Sequence, residues 1–117
     1  MIEQIILHLA GDYMLQNQWM SNKKTENNPT GYIVAIIHAL IYSLPFWFFL
    51  TNWQGWLFIF ISHFLIDKYE LGKIWIKLAN YRNRNYKSVN NGIRIVVDNT
   101  FHIICNYVAI VHLHSFL

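Results

Sequence analysis

The sequence predicts an all-α fold, an integral membrane four-helix bundle in a single domain over residues 1–117, and three observations support this. Hydrophobic residues make up 55 % of the chain and charged residues only 13 %, against roughly 25 % charged residues in soluble domains. The apolar runs 31–50 and 53–66 contain no Lys, Arg, Asp or Glu, and a membrane crossing needs about 20 apolar residues. The basic residues cluster in two of the three joints between apolar runs.

The helices follow from these runs and from the Gly, Pro, Asn and Ser residues that separate them. The predicted helices cover about 2–20, 31–51, 54–79 and 92–116. We expect no β-strands, because an open sheet edge cannot satisfy its hydrogen bonds in lipid. The N-terminal MIEQ lacks a basic segment, so a cleaved signal peptide is not expected.

The nine Lys and Arg residues all lie in or beside the first and third joints. By the positive-inside rule, these joints face the cytoplasm and both termini lie outside the cell (inner) membrane. Membrane lipids are therefore the expected partners. The basic, aromatic stretch YRNRNYK could also bind nucleic acid, but an anionic lipid surface explains it more simply. We expect no nucleic-acid partner.

Histidine and aspartate recur four residues apart in three of the predicted helices, within HLAGD, HFLID and DNTFH. Positions i and i+4 share one helix face. In the last helix the aspartate precedes the histidine. This reversed order is expected if that helix runs antiparallel to the other two and all three contribute side chains to one layer of the bundle. At a rise of about 1.5 Å per residue, a histidine in the second helix lies at the same depth. The seven candidate metal ligands are His8, Asp12, His38, His63, Asp67, Asp98 and His102.

Three carboxylates that share a low-dielectric layer repel one another unless they bind protons or cations. Mixed imidazole and carboxylate ligands suit Zn²⁺, Mn²⁺ or Fe²⁺. Because carboxylates can bridge, the site could hold one ion or two ions about 3.5–4 Å apart, an arrangement that activates water for hydrolysis. Two alternatives remain open at this point. The pairs could be hydrogen-bonded contacts that hold the helices together, or part of a proton or ion path.

Polar residues one turn closer to the cytoplasm flank these ligands. Arg94 could bind a phosphate by charge-assisted hydrogen bonds or could be an interfacial arginine that extends its charge to the membrane surface. Glu70 could be a catalytic base, a ligand or a solvated carboxylate. We predict Glu70 and Arg94 as the catalytic residues, Gln16 as a further polar group near the mouth, and Asn106 as a partner that orients His102.

The N-terminal HLAGDYMLQ, with the later HFLID and DNTFH, resembles an uncharacterised family of small integral membrane proteins from bacteria and their phages. The signature of that family is His-x-x-[Gly/Ala]-Asp-[Tyr/Phe]-x-Leu-Gln. The resemblance implies a compact membrane helical fold. Through a looser similarity to small membrane-bound metal-dependent hydrolases, it also implies hydrolase activity.

Together these observations predict a metal-dependent hydrolase that acts on a phosphoester or another anionic substrate, either a small molecule or a lipid. The alternative is a non-enzymatic membrane protein, either a metal-ion carrier or a phage-type effector that docks on a membrane complex. A carrier needs a second access route, and the apolar stretches LPFWFFL and WLFIF offer none. This favours the enzyme.

Overall fold

The computed structural model describes residues 1–79 and 91–113, apart from the side chain of Asn91, and every regular element in these ranges is helical. The all-α class is therefore confirmed. The described residues form six α-helices: α1 Ile2–Leu9, α2 Gln18–Lys23, α3 Pro29–Phe49, α4 Trp53–Lys68, α5 Leu71–Ala79 and α6 Asn91–Val108. Two π-helical turns, Ala10–Met14 and Ala109–Leu113, continue α1 and α6.

Two of the predicted helices are interrupted. The helix predicted over 2–20 breaks after Met14, because the side chain of Asn17 caps a new helix by accepting a hydrogen bond from the Met20 N–H at 2.8 Å. The helix predicted over 54–79 breaks at Glu70, whose φ of 49° lies in the left-handed region. The predictions of uninterrupted helices in these two ranges are thus wrong.

The other two predicted helices begin within two residues of their observed starts. The predicted end of the fourth helix, at 116, lies outside the described residues. So do Arg82, Arg84 and Lys87 of the basic third joint.

Asparagine caps set the start of both helices of the central hairpin. Asn28 Oδ1 accepts a hydrogen bond from the Gly31 N–H at 2.7 Å, and Pro29 takes the first helical position, where its missing N–H costs nothing. Asn52 Oδ1 accepts in the same way from the Gly55 N–H at 2.9 Å. These caps fix where α3 and α4 begin and hence which of their side chains face each other.

Helices α1, α3, α4 and α6 pack together, and the apolar core lies among Tyr42, Phe46, Ile59 and Ala109, which are fully buried. Many large apolar side chains nevertheless face outward, and Phe48 is 76 % exposed. Among the described residues, two helices are long and apolar enough to cross a membrane, namely Pro29–Phe49 and Gly92–Leu113. Less than half of each is buried inside the protein.

Two glycines allow close backbone approaches that position the site. A Cβ added at Gly11 would lie 2.5 Å from Cδ2 of Tyr42, so the first π-helical turn can pack against the tyrosine ring only because that side chain is absent. A Cβ at Gly72 would lie 3.4 Å from the Cα of Asp98, an ordinary van der Waals distance. The short helix α5 therefore packs against α6 near Asp98.

Candidate metal centre

Four side chains from three segments converge between α1, α3 and α4. The Nε2 atoms of His38 and His63 lie 3.0 Å apart. Asp12 Oδ1 lies 3.3 Å from His38 Nε2 and 3.5 Å from His63 Nε2. Asp67 Oδ2 lies 3.1 Å and 3.2 Å from the same two atoms. We call Asp12, His38, His63 and Asp67 the inner ligand group.

The separations within the inner ligand group fit a tetrahedral metal site. Ligand atoms about 2.0–2.1 Å from a central ion lie about 3.3–3.4 Å from one another, and the five separations above run from 3.0 to 3.5 Å. Asp12 Oδ1 is buried without a hydrogen-bond partner among the described residues, as expected of an oxygen aimed at a cation. These four residues could therefore hold a metal ion.

The inner histidines differ in one respect from the usual metal-ligating pattern, in which the second ring nitrogen donates a hydrogen bond. The Nδ1 atoms of His38 and His63 are buried with no hydrogen-bond partner in the described part of the chain. Their rings are held by packing instead. The His63 ring stacks on the Tyr42 ring, with centroids 3.6 Å apart.

A second group lies on the other side of the shared aspartate. His102 Nε2 is 3.0 Å from Asp67 Oδ1 and 3.4 Å from Asp98 Oδ2. We call Asp67, Asp98 and His102 the outer ligand group, which could also hold a metal ion. The two oxygens of Asp67 thus face different groups, as in a bridging carboxylate.

Local backbone structure aims these side chains. His63 with Asp67 and Asp98 with His102 lie one α-helical turn apart on α4 and α6. Asp12 lies instead in the first π-helical turn, where the Leu15 N–H donates to the Ala10 carbonyl five residues earlier at 3.0 Å. Single π-turns of this kind recur at functional sites, because the extra residue changes which way a side chain points.

The structure brings six of the seven predicted ligands into the two groups, and His8 is the exception. Both ring nitrogens of His8 are hydrogen-bonded, Nδ1 to the Tyr42 hydroxyl at 2.8 Å and Nε2 to Asn99 Oδ1 at 2.9 Å. Its Nδ1 is also 3.5 Å from Asp12 Oδ2. The fully buried His8 is therefore placed to orient Asp12.

A cavity of about 300 Å³ opens beside the outer ligand group. Asp67 and Asp98 line it together with three cationic side chains, Lys24, Lys73 and Arg94. Glu70 lines it as well, so three cationic and three acidic side chains surround the approach to the outer group.

Glu70 also lines this cavity, and its Oε1 lies 2.5 Å from Lys73 Nζ. It belongs to neither ligand group. Arg94 is exposed at the same cavity. Both residues predicted to be catalytic thus lie at the cavity beside the outer group and belong to neither ligand group.

Residues 1–116 match the family described as Protein of unknown function (DUF3307). The chain belongs to this family. Searches of curated proteins and of solved structures found no match. The family match includes every residue of both ligand groups and supplies no activity, so a function must be argued from the geometry of the site.

The sequence reasoning missed Lys24 and Tyr42. Lys24 Nζ lies 2.5 Å from Asp67 Oδ2, and this lysine is buried. In the sequence analysis, Lys24 was used only to predict which side of the membrane the first joint faces. Tyr42 follows His38 by four residues, a spacing that could have indicated its place on the same face. Asn106, expected to orient His102, donates instead to the Tyr42 hydroxyl at 2.8 Å.

Proposed function

We propose that this DUF3307 protein is an integral membrane, metal-dependent hydrolase that acts on phosphoesters. The observation that carries the proposal is the position of Asp67. Its two oxygens belong to two ligand groups, and one of these groups borders a cavity lined by three cationic and three acidic side chains.

The ligand types favour Zn²⁺, Mn²⁺ or Fe²⁺ and two bound ions. Imidazole and carboxylate together suit these metals, and the three clustered carboxylates, which Lys24 alone cannot neutralise, favour the binding of cations or protons. Divalent cations bound here would polarise a phosphoryl oxygen and lower the pKa of water. One ion would be held by Asp12, His38, His63 and Asp67. The other would be held by Asp98, His102 and the same Asp67.

The cavity supplies the remaining groups for an anionic substrate. Arg94 and Lys73 line it on the side of α5 and α6 and would bind phosphate oxygens, because charged donors make the strongest hydrogen bonds to such groups. Glu70 would accept the proton of the attacking water. Its contact with Lys73 would hold it in place for that role.

A membrane location agrees with the exposed apolar side chains and with the two helices long enough to cross a bilayer. We propose that α1 and α4 complete the four-helix membrane bundle. In the described ranges, Lys and Arg occur only near the cavity end of the bundle, at Lys23, Lys24, Lys68, Lys73, Lys77 and Arg94. By the positive-inside rule, we propose that this end faces the cytoplasm and that both termini lie outside.

Access from one end favours a hydrolase over an ion carrier. The cavity opens beside the outer ligand group, whereas Tyr42, Phe46 and Ile59 are fully buried and pack together beyond the histidines. Gln4, Ser43 and Asn106 are also buried, so the preference for a hydrolase rests on the cavity and not on an absence of polar side chains in the core.

The proposal is tested on detergent-purified protein prepared without chelators. We expect about two equivalents of a divalent transition metal and hydrolysis in a screen of phosphomonoesters, phosphodiesters and lipid phosphates. Arg94→Gln should weaken substrate use without metal loss, and Glu70→Gln should lower turnover roughly 10²–10⁴-fold, also without metal loss. Folded protein that binds no metal on reconstitution would show that the pairs serve only to hold the helices together. Metal-loaded protein inactive on every ester would point to the carrier or effector alternative.

A further inference from the structure

The cavity beside the outer ligand group is charged inside and apolar at its mouth. Its charged lining consists of Lys24, Lys73 and Arg94 with Asp67, Glu70 and Asp98. Lys24 contacts Asp67 and Lys73 contacts Glu70. The lining also includes Tyr13, which is 53 % exposed, and Ile95, which is 49 % exposed. A water-soluble phosphate would gain nothing from these outward-facing apolar side chains.

Helix α5 extends the apolar surface from the cavity and has three distinct faces. One face is buried and carries Gly72 and Ile76. At about 100° per residue, Lys73 and Lys77 lie together on a second face. The third face is apolar and exposed, and carries Ile74, Trp75 and Leu78. Lysines beside an exposed apolar face with a tryptophan are typical of a helix that lies in the plane of a membrane interface.

The first segment provides a similar surface next to the cavity. Tyr13 and Ser21 line the cavity, and the neighbouring Met14 and Trp19 are 82 % and 55 % exposed. Tyr13 and Ile95 thus line the cavity itself, and further exposed apolar side chains lie on the adjoining α5 and α1–α2 segments. Such a concentration of exposed apolar groups at a binding site indicates an apolar partner.

We propose that the substrate is a lipid phosphomonoester, whose phosphate enters the cavity while its hydrocarbon chains stay in the bilayer against the apolar mouth. Arg94, together with the metal proposed for the outer group, would bind the phosphate, and the apolar rim matches the first methylenes of the chains. The hydrolysis step and the charge supplied by metal rest on the proposed function, whereas the preference for a lipid over a water-soluble phosphate rests on the apolar rim. In that step the oxygen of water bonds to phosphorus, the ester P–O bond breaks, and the lipid alcohol takes up a proton as inorganic phosphate leaves.

The test compares two probes that share one head group, dioctanoyl phosphatidic acid and glycerol 3-phosphate. Dissociation constants for both are measured with the detergent-purified protein and with two variants, Ile95→Gln and Ile93→Gln. The two isoleucines lie on the same helix and are both 49 % exposed, but only Ile95 lines the cavity. Partition of the lipid into detergent is measured with protein-free micelles and its dissociation constant is corrected for it, so the ratio of the two constants reports on the protein.

We expect the wild-type protein to prefer the lipid by at least about tenfold, because burying two methylenes is worth roughly that much. Ile95→Gln should reduce this preference by about fivefold, whereas Ile93→Gln should leave it unchanged. Arg94→Gln should weaken the binding of both probes equally, since it removes a contact with the phosphate that they share.

Equal affinity for the two probes would overturn the proposal in favour of a water-soluble phosphoester. Equal effects of the two isoleucine variants, or no binding of either probe, would also overturn it. Failure of the proposed function would look different, because metal or hydrolysis would be absent while the lipid preference persisted.

Discussion

The inner and outer ligand groups share Asp67 but differ in ligand number and in access. The inner group has four protein ligands, and the side chains of its two histidines are 0–1 % exposed. The outer group has three, and the side chain of Asp98 is 38 % exposed beside the cavity. Metal sites with four protein ligands are usually structural, whereas catalytic sites keep a position open.

This difference assigns distinct roles to two chemically similar clusters. An ion in the inner group would fix α1, α3 and α4 relative to one another, because its ligands come from all three segments. An ion in the outer group would meet the substrate. The shared carboxylate couples the two, so variants at the shared, inner and outer positions should have separable effects.

Asp67→Asn should have the largest effect, because both groups lose a ligand and Lys24 loses its carboxylate partner. We expect metal content to fall from about two equivalents to near zero. We also expect a loss of about 3–5 kcal/mol of stability, the usual result of leaving one buried charge unpaired. Metal analysis and thermal unfolding in detergent measure the two effects.

The double variant Lys24→Met with Asp67→Asn separates these two effects. It removes both partners of the buried contact, so stability should recover relative to Asp67→Asn while metal binding stays lost. Recovery of metal binding would instead show that Asp67 is not a ligand.

His63→Gln should act on the inner group and on stability. Metal at a hundred times its dissociation constant should stabilise the wild-type protein by about 2.7 kcal/mol, and this gain should largely disappear in the variant. Thermal unfolding is measured with and without metal, because the variant also loses the ring stacked on Tyr42. That loss lowers the stability of the metal-free protein as well. An unchanged metal-induced gain would remove His63 from the ligand set.

Asp98→Asn should have the smallest effect on stability and act mainly on turnover. About one equivalent of metal should remain, held by the inner group, and the metal-induced stabilisation should persist. Turnover should fall by at least about a hundredfold, as when one group that stabilises the transition state is removed. If Asp98→Asn and His63→Gln change stability and turnover in the same proportion, the division of roles is wrong.

Much of the candidate site was predictable because its signal is local. Residues four apart on a helix share a face whatever surrounds them, so the three His–Asp spacings indicated ligand pairs directly. The same reasoning placed His8 among the ligands, but His8 belongs to neither ligand group in the structure. Its nitrogens are taken by Tyr42 and Asn99, residues 34 and 91 positions away, and no local pattern contains such partners.

The sequence by itself determined the all-helical class, because its apolar runs and Asn and Pro caps act within single segments. It also determined the spacing of the ligand pairs. Only the tertiary structure decided that the oxygens of Asp67 face two groups, that a π-helical turn carries Asp12, and that Lys24 reaches Asp67 across 43 residues. Those features depend on how separate helices pack, and the packing is set by contacts between residues far apart in the chain.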